Sequence, residues 1–244
     1  MINKDKKICI AICNYNHSQY LEQSINSIIS QNYDNLDIAV IDDGSSNQND
    51  VDEIMSFFKD KRIRYSKLVK NTGKWHALNF AFSTTDAEIC TSHDADDVSL
   101  PWRIESQYEA LLETKTVHNL CGFISCQEQD QILYAQNAYI NKPKKLNLMT
   151  GEVICNTVMM GFKNPNINHY FTGNFETAGV SAMFYKTIWD CGFRFNPPGL
   201  NLRTLLSEDS DFNFRVTTAL RSTSLLLEKP YLYRRNTSTN KEEI

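Results

Sequence analysis

The chain has 244 residues, enough for one large α/β domain, and 41% of them are apolar, enough for a sizeable core. With 25 basic against 29 acidic residues the formal charge is −4, which argues against a general nucleic-acid or anionic-membrane surface. No apolar run reaches membrane-spanning length, and Met1-Ile-Asn-Lys-Asp-Lys-Lys7 lacks the apolar centre of a signal peptide, so the expectation is a cytoplasmic protein. Residues 7–13 form a continuous apolar run suited to a central parallel strand, ended by Asn14-Tyr-Asn-His-Ser18. Leu21, Ile25, Ile28 and Ile29 then recur at helical spacing and predict a helix with one buried face. Residues 36–41 predict a second strand, which runs out into Asp42-Asp-Gly-Ser-Ser46. The next helix carries a capping-box pattern, Asp50 and Glu53, and is expected to bury Val51, Ile54, Met55 and Phe58. A third strand at 63–68 leads into Asn71-Thr-Gly-Lys-Trp-His-Ala-Leu-Asn79, a turn opening a helix that runs to about Phe82.

The stretch Glu88-Ile-Cys-Thr-Ser-His-Asp-Ala-Asp-Asp-Val98 begins as an apolar, β-preferring run and ends in the carboxylates Asp94, Asp96 and Asp97. Pro101 follows, a residue at home in the first turn of a helix. The acids therefore sit where a buried strand runs out at the carboxyl edge of a sheet, the edge at which open α/β sheets bind ligands. Carboxylates this close repel one another, and hard oxygen ligands of this kind suit Mg²⁺ or Mn²⁺. A solvated acidic turn has the same composition. Ile104, Tyr108, Leu111 and Leu112 predict another amphipathic helix, and the alternation of strand and helix up to this point is that of a βαβ sheet.

After Val117 the character changes. Residues 119–127 and 132–138 predict a hairpin turning at Gln129-Asp130-Gln131. Residues 140–177 are rich in Asn and poor in periodicity, with a short helix expected near 151–155. Residues 178–184 predict a strand, and 186–191 a short helix ending at Gly192. Asn196-Pro-Pro-Gly-Leu200 is a loop, and Ser207-Glu-Asp-Ser-Asp211 opens a helix whose inward face is Phe212, Val216, Ala219 and Leu220. Short strands at 223–227 and 231–235 close the fold, and the polar last nine residues are expected to fray. Of the seven cysteines, Cys9, Cys13, Cys90, Cys121 and Cys191 fall in apolar or strand-like surroundings, and no C-x-x-C pair occurs. They read as reduced, mostly buried thiols, not as a disulfide frame or a zinc site.

Three acidic clusters stand out: Asp42/Asp43, Asp94/Asp96/Asp97 and Glu208/Asp209/Asp211. The first two end strands of one sheet and so converge on one edge. The third lies in a first helical turn, where the helix dipole favours an anion by a few tenths to about 1 kcal/mol. Ser207 as N-cap with acids behind it is also ordinary capping chemistry.

Taken together these residues resemble the family 2 glycosyltransferases of the GT-A fold. Asn14-Tyr-Asn with Leu21 and Gln31 resembles the family's opening strand, loop and helix, and Ile41-Asp-Asp-Gly-Ser45 its nucleotide-base motif. Asn71-x-Gly73, Ala77 and Asn79 match its middle helix, and His93-Asp-Ala-Asp-Asp-Val-x-x-Pro101 its Asp-x-Asp signature. Ser207-Glu-Asp-x-Asp211 with Arg215 is similar to its catalytic segment, and Tyr233-Arg234 with Ser238 to its terminal motif. The order and spacing of these pieces carry the resemblance, since Asp-x-Asp alone is weak.

The resemblance implies an α/β fold of GT-A type: a Rossmann-like, mostly parallel central sheet flanked by helices, with a smaller mixed sheet on the acceptor side. It implies one domain over 1–244, with 1–115 binding the nucleotide sugar and 116–244 the acceptor. The implied reaction is inverting transfer of a sugar from a nucleoside-diphosphate sugar, a UDP-sugar first, to an acceptor hydroxyl. Tyr15 would stack on the base beside the backbone of Cys13 and Asn14, and Asp43 would accept a hydrogen bond from it. Lys74 would meet the phosphates and Asp94 the ribose. Asp96 would ligate Mn²⁺ or Mg²⁺, with Asp97 orienting the loop or joining the metal shell. Asp209 is the implied general base and Glu208 holds the acceptor or the geometry of the base. Plain alternatives stand beside these: Tyr15 as a packing aromatic, Asp42/Asp43 as a turn cap, Lys74 as a solvated lysine, Asp211 and Arg215 as a helical ion pair. Family members often carry a histidine two residues after the Tyr-Arg pair, where this chain has Asn236, so Arg234 or Arg235 is expected to hold the pyrophosphate instead. His17 and His118 read as surface or packing residues, His76 and His93 as structural neighbours of the site, Trp75 and Trp102 as packing, and Trp189 as open to sugar stacking. The acceptor is a glycan, a lipid-linked glycan or a protein, a lipid-linked one requiring peripheral attachment to the membrane.

Rival readings make different demands. Asp94-Ala-Asp-Asp-Val98 also fits the nucleophile motif of haloacid-dehalogenase-like phosphatases, but that motif belongs near the N-terminus. A nucleotidyltransferase needs a glycine-rich first loop, and Cys13-Asn-Tyr-Asn-His-Ser18 has no glycine. A catalytically silent nucleotide-sugar-binding module would not need the Glu208-Asp209 pair.

Overall fold

A computed structural model describes residues 5–150, 179–198 and 207–234. The apolar runs of the first half become strands β1 (Ile8–Asn14), β2 (Leu36–Asp42), β3 (Ile63–Lys67) and β4 (Ile89–Asp94), linked by helices α1 (Ser18–Ile29), α2 (Gln48–Phe57) and α3 (Lys74–Ser83). They pair in parallel in the order β3-β2-β1-β4, with Cys13 level with both Ile41 and Asp94. The chain continues through β5 (Val98–Ser99), α4 (Arg103–Thr114), β6 (His118–Cys126), α5 (Gln129–Ala138) and β7 (Leu148–Thr150). A 3₁₀ turn at Gly179–Ser181 precedes β8 (Met183–Tyr185), α6 (Lys186–Asp190), α7 (Glu208–Leu220) and β9 (Thr223–Arg234).

Both faces of the parallel strands are covered, which is why β1 reads as an unbroken apolar run. Ile8, Ile10 and Ile12 face α1, α2 and α4 through Leu21, Ile25, Ile28, Val51, Ile104 and Tyr108. Cys9 and Ala11 face the opposite layer, built by Ala77, Leu78 and Phe82 of α3 with Phe212 and Val216 of α7. Phe195 stacks on Phe212 at 4.2 Å between ring centroids and so seats α7 on the sheet. Burying a side chain of that size is worth about 1.5–3 kcal/mol. This packing brings the first turn of α7 to the carboxyl edge of β4.

The second-half strands are mixed, as expected, and continuous with the first: β8 pairs antiparallel with β4 and β6, β6 runs parallel to β9, and β5 and β7 pair antiparallel with β9. Several local expectations are corrected. The predicted hairpin is β6 followed by helix α5, because Ile132 and Ala135 turn inward at helical spacing and Glu128 and Gln131 form a reciprocal capping box. The strands at 223–227 and 231–235 are a single strand as far as Arg234, a register shift between Cys121 and Phe123 absorbing the irregularity near Pro230. Helix α2 starts at Gln48 behind Asn47, so Asp50 and Glu53 do not form a capping box. The predicted 178–184 strand is the 3₁₀ turn plus β8, since the carbonyls of Val180 and Ser181 are turned to the side chains of Ser92 and Gln107. The six described cysteines are free, and Cys191 is exposed, not buried. The helix expected near 151–155, the end of the 196–200 loop, Arg235, Asn236, Ser238 and the tail lie outside the described residues. No helix among the described residues is long and apolar enough to cross a membrane.

Candidate active site

Three loops meet at the carboxyl edge of β1, β2 and β4. In the first, Asn14 is buried, and its Nδ2 donates to Asp42 Oδ1 at 2.7 Å and Ser45 Oγ at 3.2 Å. Asn16, at φ +58°, accepts from the backbone N–H of Ser46 at 2.8 Å. The second loop turns at Gly44, whose φ is +71°. A Cβ there would lie 2.5 Å from the carbonyl carbon of Lys70 and 2.6 Å from the nitrogen of Asn71, so only glycine lets this loop rest on the third. Asp43 completes the join: its carboxylate accepts from Thr72 N at 3.0 Å, Thr72 Oγ1 at 3.1 Å and Gly73 N at 2.8 Å. A carboxylate has about four acceptor positions, so these three bonds leave one. Tyr15 is half-buried between these loops, and burial pushes the Cys13 thiol up.

Beyond β4, Asp94, Asp96 and Asp97 bring one oxygen each within 4.8 Å of one another. Asp94 is held up to about 6 by burial first, with Asp96 and Asp209 adding to it and Lys74 opposing. Asp97 is only 1% exposed, and burial together with Asp94 and Asp96 raises it well above the usual carboxylate range. Its Oδ1 accepts from Arg234 N at 2.7 Å, while its Oδ2 is buried without a hydrogen-bond partner. Converging hard oxygens, two of them on acids held above their ordinary range by burial and mutual repulsion and one of those oxygens orphaned, fit a small divalent cation.

Lys74, the first residue of α3, links the clusters. Its Nζ lies 2.5 Å from Asp94 Oδ1 and 3.7 Å from Glu208 Oε1. Burial alone would lower this ammonium, but Asp94, Glu208 and Asp209 outweigh it and the group is raised well above its ordinary value. In the first turn of α7, Asp209 Oδ1 accepts from Ser207 Oγ, and from Ser210 N at 2.7 Å. A Cβ on Gly179 would meet Asp209 Oδ2 at 3.1 Å, so that glycine leaves the room the carboxylate occupies. Asp211 instead accepts from Arg215 Nε at 2.8 Å and Asn196 Nδ2 at 3.0 Å, the helical ion pair.

Arg234 braces the acidic turn. Besides the bond to Asp97, its Nε donates to Asp96 O at 2.8 Å, its Nη2 to Gln23 Oε1 at 2.8 Å and its Nη1 to Gln129 Oε1 at 3.1 Å, with the guanidinium 4.4 Å over the Tyr20 ring. Beneath the turn lies Arg103, fully buried and absent from the sequence reading. It donates to Gln107 Oε1, Ser99 Oγ, Thr91 Oγ1 and Ser92 O between 2.8 and 3.1 Å. It also contacts His93 Nδ1 at 3.1 Å, and burial and then Arg103 keep that imidazole well below its ordinary range. His118 bonds Asn213 and Thr223 in the core, where burial brings it down to about 4. Trp189 donates to Asn79 at 3.1 Å under the Arg194 guanidinium, a packing position. His17 packs its ring against Tyr20, 6.3 Å between centroids, and its Nδ1 lies 3.5 Å from Asp96 Oδ2.

The sequence profile of glycosyl transferase family 2 matches residues 9–175, more than half the chain. A glycosyltransferase of Haemophilus influenzae is 37% identical over 100 residues, 40% of this chain and 30% of its own length. Glycosyltransferase GlyG of Streptococcus pneumoniae is 28% identical over 129 residues, 52% of this chain and 42% of its own. The chain thus spans less than half the length of these curated relatives. Among solved structures, residues 1–349 of S. aureus TarS in complex with UDP-GlcNAc superpose with a TM-score of 0.67 at 15% identity, covering 95% of this chain and 59% of that one. The mannosyltransferase PcManGT of Pyrobaculum calidifontis, in complex with GDP-Man and Mn²⁺, superposes with a TM-score of 0.60 at 16% identity, covering 97% and 58%. At this identity the likeness is one of fold, and the fold is that of GT-A glycosyltransferases, not of a phosphatase.

Proposed function

The chain belongs to glycosyl transferase family 2, and we propose that it moves a sugar from a nucleoside-diphosphate sugar, UDP-linked in the first instance, to an acceptor hydroxyl with inversion at the anomeric carbon. One observation carries this reading: Lys74 reaches both Asp94 and Glu208, so the donor-side and catalytic acids lie within reach of one side chain. Residues 1–115 form the donor half and 116–244 the acceptor half. The base stacks on Tyr15, beside the backbone of Cys13 and Asn14, and donates to Asp43. Lys74 turns to the diphosphate, and Asp94 to the ribose.

Asp96 and Asp97, with Asp94 beside them, would hold a divalent cation, Mn²⁺ or Mg²⁺. When bound it would offset the charge of the departing nucleoside diphosphate. The cation and donor of PcManGT and the UDP-GlcNAc of TarS support this assignment. Arg234 serves the donor by fixing Asp96 and Asp97, and not only by facing the pyrophosphate. Asp209 takes the proton of the acceptor hydroxyl as its oxygen attacks the anomeric carbon, while Glu208 holds the acceptor. Ser207 and Ser210 fix one oxygen of Asp209, leaving Oδ2 for the proton. The free thiols suit a reducing cytoplasm. The acceptor is a glycan, lipid-linked glycan or protein, with peripheral attachment for a lipid-linked one.

Incubation with UDP- and GDP-sugars, with and without Mn²⁺, tests the reading. The expected result is metal-stimulated hydrolysis or transfer from a UDP-sugar, giving a product of inverted anomeric configuration. Phosphatase activity on a simple phosphoester without sugar transfer, or a retained configuration, would overturn it.

A further inference from the structure

We propose that His17 supplies a nitrogen ligand, through Nδ1, to a divalent cation held at the Asp94–Asp97 turn. The inference rests on the metal-assisted reading above and extends it to a residue from the opposite loop. The backbone of His17 has its own task, its carbonyl accepting from Tyr20 N at 3.0 Å and Leu21 N at 3.2 Å to start α1. The side chain is not needed for that. Its ring lies tilted against Tyr20, 6.3 Å between centroids, and the same Tyr20 ring carries the Arg234 guanidinium that braces the acidic turn. Nδ1 is thereby held 3.5 Å from Asp96 Oδ2, yet it is buried and makes no hydrogen bond.

A buried ring nitrogen without a partner is destabilising, because it has given up water and gained nothing in exchange. Asp97, in the same cluster as Asp96, carries a second orphan: Oδ2 is buried without a partner on a residue only 1% exposed. The oxygens of Asp94, Asp96 and Asp97 lie within 4.8 Å of one another without His17, so Nδ1 would join an ion at this turn by a movement of its ring toward Asp96. Two neighbouring ligands of an octahedral ion, each at about 2.1 Å, lie about 3 Å apart. The observed 3.5 Å between Nδ1 and Oδ2 is beyond a good hydrogen bond and within a small movement of that spacing. The other histidines near the site are spoken for, His93 by Arg103 and His76 by Thr72. A nitrogen donor has a chemical consequence: imidazole adds affinity for transition metals and little for Mg²⁺. His17 therefore biases the site toward Mn²⁺.

Pulsed electron paramagnetic resonance on the chain labelled with ¹⁵N-histidine, loaded with Mn²⁺ and UDP, reads the bond directly. The expected wild-type spectrum shows coupling to a directly bound ¹⁵N. His17→Ala and His17→Gln lose that coupling, weaken Mn²⁺ binding by about tenfold or more, and leave Mg²⁺ binding within about twofold. Mn²⁺ bound by the wild type with no ¹⁵N coupling, or coupling that survives in both variants, would overturn the inference while leaving the metal-assisted reading standing. If the wild type bound no Mn²⁺ with UDP, both would fall. The wild-type spectrum decides whether nitrogen is on the ion without relying on any variant.

Discussion

Of the cations around the acidic end of β4, Arg103 and Lys74 are held in opposite ways. Arg103, below the turn, is fully buried and its guanidinium is bonded on every side by groups from β4, β5, α4 and the 3₁₀ turn. Lys74, above it, is a quarter exposed, and its ammonium pairs with carboxylates from two separate elements, Asp94 of β4 and Glu208 of α7. A planar, fully bonded guanidinium fixes the strand end in place, whereas a single ammonium on a flexible stem can trade one set of anions for another. The difference teaches that the strand end is fixed by a permanent brace, while the ammonium beside its acids is placed to exchange partners, as the role proposed for Lys74 requires.

The contrast is broken first by mutating the brace. Arg103→Met leaves Gln107, Ser99, Thr91 and the Ser92 carbonyl without their buried donor and is expected to cost about 3 kcal/mol or more of folding stability in denaturant titrations, at about 1–3 kcal/mol for each buried acceptor left unpaired. A cost under about 1 kcal/mol would mean that Arg103 is no brace. Lys74→Ala is the counterpart. Stability should change by about 0–1 kcal/mol, as for a partly exposed ion pair. The kcat/KM for the nucleotide sugar should fall about ten- to a hundredfold if a charge-assisted phosphate contact of about 1.5–3 kcal/mol is lost; the reverse pattern, lost stability with intact turnover, would erase the distinction.

The smallest effect is one of pH. Asp94 is held up to about 6, above the value near 3.8 of an unperturbed carboxyl. Between those two values the folded protein keeps a proton that the unfolded chain has released, so metal-free stability falls as the pH rises through this window. A cation needs the ionised carboxylate, so Mn²⁺ affinity in the presence of UDP should fall as the pH drops below about 6, by up to about tenfold per unit. Thermal melts and calorimetry across this range check both signs.

The donor half was largely legible in the sequence, for physical reasons visible in its residues. Strands covered on both faces must be apolar throughout, as residues 8–12 are, and acids just past such runs have nowhere to go but the sheet edge. What escaped was whatever depended on partners distant in sequence. Arg103 left no signal, because its partners Thr91, Ser92, Ser99 and Ser181 are small, polar and scattered. His17 sat in a polar loop with no periodicity to show which way it faces. Helix α5 did leave a signal, the Glu128/Gln131 capping pair, but two inward residues, Ile132 and Ala135, were too few to outweigh a strand reading. The break expected between residues 227 and 231 is instead a register shift against β6, which pairing from residues distant in sequence accommodates.

The central claim is that the acids of β4 and of α7 act on one reaction in one pocket. Its most direct test compares Asp209→Asn with the wild type, measuring UDP binding by calorimetry and sugar transfer side by side. UDP affinity should stay within about threefold while kcat falls by about a hundredfold or more, the loss expected of a general base. Turnover close to that of the wild type would contradict the claim.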